Sequence, residues 1–231
     1  MLKRALLPNG LRVLLCPMAN TQAVTTLFLT RTGSKYETKD LNGISHLLEH
    51  LLFRGTKSWP RPSSISQELD RVGGFYNAFT DKEVLGIIIK VAVENFPLAA
   101  NILTEMITAP LLKQSGIAKE KKVVIEEINM REDNSQLLIL DLWEELLYGD
   151  QPAGWQTIGS KEKILAISRK NLLEHLRKYF VAENSIVIVA GNFKEADIEK
   201  KLRKIFSGLV RGKRGEKLPV KEKQEKPLKK Q

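Results

Sequence analysis

The chain has 231 residues, 42% of them hydrophobic, and a formal net charge of +10. This length and composition suit one good-sized globular domain with a substantial core. No apolar run approaches the roughly 20 residues that cross a bilayer, and the N-terminal run is too short for a secretion signal. The single cysteine excludes an internal disulfide and is typical of a reducing compartment. We therefore expect a cytoplasmic protein without a membrane partner.

The positive charge is concentrated at the C-terminal end. Residues 211–231 contain nine Lys or Arg and three Glu, which gives this short segment a net charge of +6. The segment is rich in Lys, Glu and Pro and contains no aromatic residue, so it has little to bury. A nucleic-acid site would need basic residues interleaved with aromatic residues on a folded face. We predict a folded domain at 1–210, a basic flexible linker or truncated tail at 211–231, and no nucleic-acid partner.

Hydrophobic periodicity divides the chain into strands and helices. In chain order they are strands at 11–16 and 24–30, helices at 44–53 and 65–72, strands at 75–79 and 84–93, helices at 97–108, 117–130, 137–147 and 169–180, a strand at 185–190 and a helix at 196–206. Strands come in pairs, a block of helices follows, and a return strand and a closing helix end the pattern. This order predicts an α+β fold, with helices packed against a largely antiparallel or mixed sheet.

The helix at 44–53 contains His46-Leu47-Leu48-Glu49-His50, the inverted form of a zinc peptidase motif. Residues at i and i+4 share a helix face, so both imidazoles can reach one metal ion. Glu49 lies three residues after His46 and can reach a water on that metal. A lone histidine on an apolar helix is more often a satisfied core residue, and the five-residue pattern also occurs by chance. The hypothesis of a metal site therefore needs a third ligand.

A carboxylate on the helix at 117–130 is the candidate third ligand. Glu120 and Glu127 lie seven residues apart, close to two turns, on the same stripe as the apolar residues, whereas Glu126 points about 100° away. Carboxylates on an inward stripe need a cation or a hydrogen-bond donor. We predict Glu127 as the third zinc ligand and Glu120 as a residue that orients a ligand or the water. In the alternative interpretation all three glutamates are solvated and paired with Lys121, Lys122 or Arg131.

The third histidine and the cysteine are poorer candidates for the remaining ligand. Zinc sites that perform chemistry usually have three protein ligands and one open position. His175 lies in a basic amphipathic helix, and we predict that it is a surface residue. Cys16 lies in an apolar strand, and we predict that it is a small core residue. The carboxylate therefore remains the better choice.

Six segments of the chain resemble the pitrilysin/insulinase family of zinc peptidases, which includes the mitochondrial processing peptidase. The segments occur in family order at 42–56, 73–80, 120–130, 148–152, 158–162 and 186–191. The resemblance covers nearly all of residues 1–210 and implies that this part is a zinc peptidase domain. The fold that it implies is a processing-peptidase-like metallohydrolase domain, with Zn²⁺ as cofactor and a peptide as substrate.

The resemblance also implies roles for individual residues. His46, His50 and Glu127 match the metal ligands of the family. Glu49 matches its catalytic base and Glu120 its supporting glutamate, so we predict both glutamates as catalytic residues. The strand onto which the substrate peptide docks in that family matches Asn77, Ala78 and Phe79.

Family members usually have two related halves in one chain, or pair two chains, to enclose a chamber. The resemblance places this chain as the first half. We expect a zinc-dependent endopeptidase domain that hydrolyses unfolded or extended peptides as one half of a two-half unit. Its partner would be a C-terminal half, a homologous subunit or a second copy of the chain. The alternative is a catalytically silent substrate-binding or assembly subunit of the same fold.

Overall fold

The computed structural model describes residues 2–221, which form six strands and eight α-helices. The strands are β1 (Lys3–Leu6), β2 (Arg12–Pro17), β3 (Ala23–Thr30), β4 (Phe75–Thr80), β5 (Leu85–Ala92) and β6 (Ser185–Gly191). The helices are α1 (Ile44–Leu52), α2 (Ser64–Arg71), α3 (Phe96–Thr108), α4 (Gln114–Asp133), α5 (Ser135–Tyr148), α6 (Lys161–Ala166), α7 (Arg169–Tyr179) and α8 (Glu195–Ile205). Within this range no helix is both long enough and apolar enough to cross a bilayer.

The predicted elements are all present, with ends shifted by at most three residues. Two short elements were not predicted. β1 has four residues, two of them charged, and lacks the β-branched residues that indicate a strand. α6 has six residues, which is less than two full turns and too short to show a helical period. Neither segment shows a period in its sequence; β1 pairs with β2, and α6 lies against α4.

The six strands form one mixed sheet in the order β1-β2-β6-β3-β5-β4. β2 and β6 are parallel, and the other neighbouring strands are antiparallel. β6 comes late in the chain but lies between β2 and β3, which come early. One sheet therefore joins the two ends of the described chain. The predicted α+β fold, with helices packed on a mixed sheet, is confirmed.

The two faces of the sheet differ in burial. Phe28 of β3, with Val187 and Ile87 opposite it on β6 and β5, is fully buried on the face that α3 covers. Leu27 and Ile188, which point to the other face, are only half buried. This alternation follows the two-residue period of a strand. The core therefore lies on one side of the sheet, between the strands and the helices.

Helix α1 is packed on several sides, by β4, α4 and α7. Five of its apolar side chains are buried: Ile44, Leu47, Leu48, Leu51 and Leu52. His46, Glu49 and His50 remain partly exposed. The helix thus holds its polar side chains at the surface of a rigid core.

The last described residues, 211–221, contain no helix or strand and run along the surface of the domain. The backbone N–H of Gly212 donates to the carboxylate of Glu183 at 2.6 Å, and that of Gly215 donates to Oδ1 of Asn184 at 2.8 Å. Residues 222–231 of the predicted tail lie outside the described residues. The predicted boundary at residue 210 stays a prediction.

Truncation of a buried α1 residue should destabilise the fold. We expect Leu48→Ala to lower the free energy of unfolding by about 2–5 kcal/mol, because the side chain is fully buried and its loss leaves a cavity. Leu165→Ala is the matched control, since this side chain is 60% exposed and should cost less than about 0.5 kcal/mol. Urea denaturation followed by circular dichroism measures both values. Equal effects of the two substitutions would contradict the packing described for α1.

Candidate active site

Helices α1 and α4 bring His46, His50 and Glu127 together. Nε2 of His46 lies 3.6 Å from Oε1 of Glu127, and Nε2 of His50 lies 3.4 Å from Oε2 of the same carboxylate. One potential ligand atom from each residue lies within 4.8 Å of the other two. The two imidazole centroids are 4.7 Å apart, as expected for residues one turn apart on a helix. Three donors from two helices therefore converge on one point.

This donor set fits zinc. Catalytic zinc is commonly held by imidazole nitrogens and a carboxylate oxygen, and a tetrahedral centre with such bonds separates neighbouring donors by about 3.3 Å. The 3.4 and 3.6 Å separations between Glu127 and the two rings are close to that value. Glu120 provides a second indication, because its buried Oε2 has no hydrogen-bond partner and lies 3.5 Å from Nδ1 of His50. A metal on Nε2 of His50 would keep the proton on Nδ1, facing this acceptor.

The two flanking glutamates of α4 occupy different environments. Glu120 is 3% exposed in its side chain, and its Oε1 lies 2.7 Å from Nε of Arg54. Glu126 is exposed, and its Oε2 accepts from Nδ2 of Asn129 at 3.3 Å. Glu127 has a side chain that is 47% exposed but turned towards the two rings. The alternative of three solvated glutamates paired with Lys121, Lys122 or Arg131 is therefore wrong for Glu120, while Glu126 is solvated but contacts Asn129.

The histidines differ in their preference for a proton. Burial lowers the pKa of His46 to about 4, although the charge of Glu127 opposes this. Burial also disfavours a charge on His50, but Glu120, Glu127 and Glu49 outweigh it and raise the pKa of His50 to about 9. The contact with His50 lowers the pKa of Glu127 against the effect of burial. The cluster of carboxylates therefore attracts a positive charge to this point.

Glu49 is held by the end of the edge strand. Oγ1 of Thr80 donates to Oε2 of Glu49 at 2.6 Å. Burial raises the pKa of the Glu49 carboxyl, and the bond from Thr80 together with the nearby His50 opposes that effect. Thr80 lies in one of the segments that carry the family resemblance, but the sequence alone did not indicate this contact. The feature that could have indicated the contact is the position of Thr80 at the end of β4, which lies beside α1.

Strand β4 is at the edge of the sheet within the described residues. Asn77 and Phe79 are exposed, whereas Ala78 is half buried. The backbone N–H of Ala78 donates to Oδ1 of its neighbour Asn77 at 2.9 Å. An added peptide strand would pair with such a backbone N–H, and it would have to displace this side chain. A cavity of 330 Å³ lies between β4 and α1 and is lined in part by Glu49, His50, Phe53, Arg54, Tyr76 and Ala78.

A buried carboxylate holds the start of α1. Glu37 accepts from the backbone N–H groups of Gly43 and Ser45, both at 2.9 Å, and from Nδ2 of Asn42 at 3.1 Å. The first N–H groups of a helix have no partner within the helix, and a carboxylate satisfies them. Burial raises the pKa of Glu37, and these hydrogen bonds oppose that effect. Sequence analysis missed Glu37 because it lies farther from the helix start than capping residues usually do.

The prediction that His175 is a surface residue is wrong. The residue is 7% exposed, and its Nε2 lies 2.8 Å from Oγ1 of Thr32 and 3.1 Å from Oγ of Ser45. The physical reason is that α7 packs against α1, which turns this part of the amphipathic helix inward. Burial lowers the pKa of His175 to about 3. His175 thus contacts Ser45, the residue directly before His46. Cys16, predicted as a core residue, is only half buried.

The fold and the site together have the form of a metallopeptidase domain. Residues 12–161 match the family described as Insulinase (Peptidase family M16), and residues 166–231 match the family described as Peptidase M16 inactive domain. The first match covers more than half of the chain, so the chain belongs to peptidase family M16. The predicted resemblance is confirmed. The second match does not mark a separate sheet, because β6 lies between β2 and β3.

Curated relatives of the chain are named zinc proteases. The uncharacterised zinc protease of Rickettsia felis is 34% identical over 215 residues, which cover 93% of this chain and 52% of the relative. The uncharacterised zinc protease YmxG of Bacillus subtilis is 34% identical over 203 residues, which cover 87% of this chain and 49% of the relative. The chain therefore spans about half the length of these relatives.

Solved structures share the fold. A protease from Helicobacter pylori superimposes with a TM-score of 0.90 at 26% identity, covering 96% of this chain and 54% of that one. The periplasmic protease PqqL from Escherichia coli superimposes with a TM-score of 0.88 at 21% identity, covering 97% of this chain and 26% of that one. At 21% identity, the similarity to PqqL concerns the fold alone. Both neighbours are longer proteins in which this fold is one part.

The buried histidine should make stability depend on pH. An unfolded histidine has a pKa near 6.5, whereas folded His175 has a pKa of about 3. Below about pH 6.5 the unfolded state therefore binds a proton that folded His175 does not. The free energy of unfolding therefore decreases as the pH is lowered. Through His175 we expect a loss of about 2 kcal/mol in the free energy of unfolding between about pH 8 and about pH 5.

The variant His175→Gln isolates this contribution. It should remove that part of the pH dependence, because glutamine does not titrate and still offers hydrogen-bonding groups. Urea denaturation at the two pH values measures it, and the exposed Glu174→Gln on the same helix is the control. A pH dependence of His175→Gln equal to that of the wild type would contradict the buried neutral histidine.

Proposed function

We propose that the chain is the zinc-dependent endopeptidase domain of a family M16 protease and that it acts on unfolded or extended peptides. The observation that supports this most directly is that ligand atoms of His46, His50 and Glu127 lie within 4.8 Å of one another. The two histidines lie on α1, which also carries Glu49, and Glu127 lies on α4. The names of the relatives support a zinc protease in general terms. The substrate class and the activity of this chain belong to the proposal.

Three side chains would hold the zinc ion: His46, His50 and Glu127. When bound, zinc supplies a Lewis acid that activates water and stabilises the negative charge developing on the carbonyl oxygen. Three protein ligands leave one position open for reaction. Glu120 would fix the orientation of His50 from the side opposite Glu127, since its Oε2 faces Nδ1.

Glu49 is the proposed general base. Its carboxylate takes a proton from the attacking water, whose oxygen forms a bond to the scissile carbonyl carbon. The C–N bond then breaks, and the same carboxyl group returns the proton to the leaving amine. The hydroxyl of Thr80 holds Oε2 of Glu49, which leaves Oε1 to carry the proton. A general acid other than Glu49 is not needed in this scheme.

Strand β4 is the proposed binding site for the peptide backbone. An extended peptide would add to the sheet beside Asn77, Ala78 and Phe79, with backbone hydrogen bonds that do not depend on its sequence. Thr80 of the same strand contacts Glu49, so a peptide bound along β4 would lie close to the proposed base. The site would therefore accept many unfolded sequences.

The proposal includes a partner, because the relatives are about twice as long as this chain. The partner would be a C-terminal half, a homologous subunit or a second copy, which would close the substrate between two halves. Cytoplasmic location remains a prediction from the single cysteine. One structural neighbour, PqqL, is described as periplasmic.

The second candidate function is a catalytically silent subunit that binds substrate or supports assembly. The match of residues 166–231 to a family described as inactive favours this alternative. The complete set of predicted ligands and the contact between Thr80 and Glu49 favour the peptidase. Zinc binding and peptide cleavage distinguish the two candidates.

The pair Glu126 and Glu127 provides a matched test of the metal site. We expect Glu127→Gln to lose bound zinc, because it removes the charged ligand beside the two rings. Glu126→Gln should retain zinc, since Glu126 is exposed and contacts Asn129 instead. Metal analysis after gel filtration measures both variants against the wild type. Equal zinc content in the two variants would exclude Glu127 as a ligand, and a wild type without zinc would favour the silent subunit.

The base is tested by Glu49→Gln. This variant should keep zinc and lose at least about 100-fold in the rate of cleavage, since general-base catalysis typically contributes that much. A fluorescence-quenched unfolded peptide serves as the substrate for the chain alone and for a longer form with its second half. Cleavage only by the longer form would support the two-half unit. Unchanged cleavage by Glu49→Gln would exclude Glu49 as the base.

A further inference from the structure

Arg54 follows α1 and lies beside the proposed metal site, but it is outside the five-residue motif. It comes four residues after His50, in the bend just beyond the last residue of α1. Its backbone N–H donates to the carbonyl of Leu51 at 3.0 Å, in the turn that ends α1. Its Nε lies 2.7 Å from Oε1 of Glu120. The end of α1 thus directs a permanent cation at the buried glutamate of α4.

Glu120 depends on this cation. Its side chain is 3% exposed, and an ionised carboxylate in such a position needs charged or hydrogen-bonding partners. The two oxygens have different neighbours: Oε1 contacts Arg54, whereas Oε2 faces Nδ1 of His50 at 3.5 Å. The buried carboxylate is therefore held at one oxygen by Arg54, with its other oxygen directed at His50.

The contact differs from an ordinary surface ion pair. Exposed pairs contribute little because both side chains are solvated and mobile. Here the guanidinium is 43% exposed, but its partner is buried and can turn only a short way. A contact at Oε1 therefore determines where Oε2 points. The side chains form a continuous series from Arg54 through Glu120 to the ring of His50.

We propose that Arg54 is a positioning residue for the zinc site. It holds Glu120 through Oε1, so that Oε2 accepts the Nδ1 proton of His50 and Nε2 of that ring is presented to the metal. This inference rests on the proposed function. Loss of a partner behind a metal ligand typically weakens metal binding about 10–100-fold.

Zinc affinity of the full chain tests the proposal, measured by competition with a chromophoric chelator. We expect Arg54→Gln to raise the dissociation constant for zinc about 10–100-fold. Arg54→Lys should have a smaller effect, since lysine keeps the charge but not the planar fork of arginine. Arg71→Gln is the matched control, because Arg71 pairs with Glu68 on the exposed side of α2 at 2.9 Å. Its zinc affinity should equal that of the wild type.

A double-mutant cycle separates positioning from simple packing. If Arg54 acts through Glu120, then adding Arg54→Gln to Glu120→Gln should not weaken zinc binding further. A packing role would instead add its effect in both backgrounds. Thermal unfolding of each zinc-free variant accompanies every affinity measurement, so that only folded variants are compared.

The outcomes distinguish this inference from the function on which it rests. Weaker zinc binding by Arg54→Gln, absent in the Glu120→Gln background, supports the positioning role. Unchanged or fully additive affinity, with a wild type that binds zinc and cleaves peptide, overturns the role of Arg54 and leaves the peptidase proposal standing. A wild type that binds no zinc overturns both.

Discussion

The polar groups of α1 must find partners within the protein, because most of that helix is packed against other elements and excluded from water. Each end of the helix meets this requirement in its own way. At the start, the carboxylate of Glu37 accepts two backbone N–H groups. At the end, Arg54 contacts the buried carboxylate of Glu120. These two contacts lie at the two ends of the helix that carries His46 and His50.

The same requirement explains why carboxylates surround the rings. Glu120, Glu127 and Glu49 approach the two histidines from three directions. Glu120 is buried, Glu49 is half buried and Glu127 is exposed, so the need for a balancing cation is strongest at Glu120. Arg54 contacts one oxygen of Glu120, and a divalent ion beside the two rings would balance the remaining charge. This arrangement of charge and the donor geometry both agree with the proposed metal site, and the packing of α1 in the core holds its two rings in place.

Helical spacing predicted which side chains share a helix face, and the structure brings His46, His50 and Glu127 together. The histidine pair follows from the helical repeat, and the seven-residue interval distinguishes Glu127 from Glu126. Contacts between elements could not be predicted in this way, because Thr80, Glu37 and Arg54 acquire their partners only when strands and helices pack. His175 shows the limit most clearly, since an amphipathic pattern does not say which neighbour covers the edge of its apolar face. The fold was more predictable, because long periodic segments dominate it and only the short β1 and α6 lack a period.

The central place of β6 has a consequence for how the chain folds during synthesis. β2 and β3 are made early but do not touch each other, and β6 fills the space between them. Until residue 191 has left the ribosome, both strands expose unpaired backbone groups and apolar side chains. Long-range pairing of this kind is slow and open to aggregation. Nascent chains of this protein should therefore be clients of chaperones until β6 has emerged and closed the sheet.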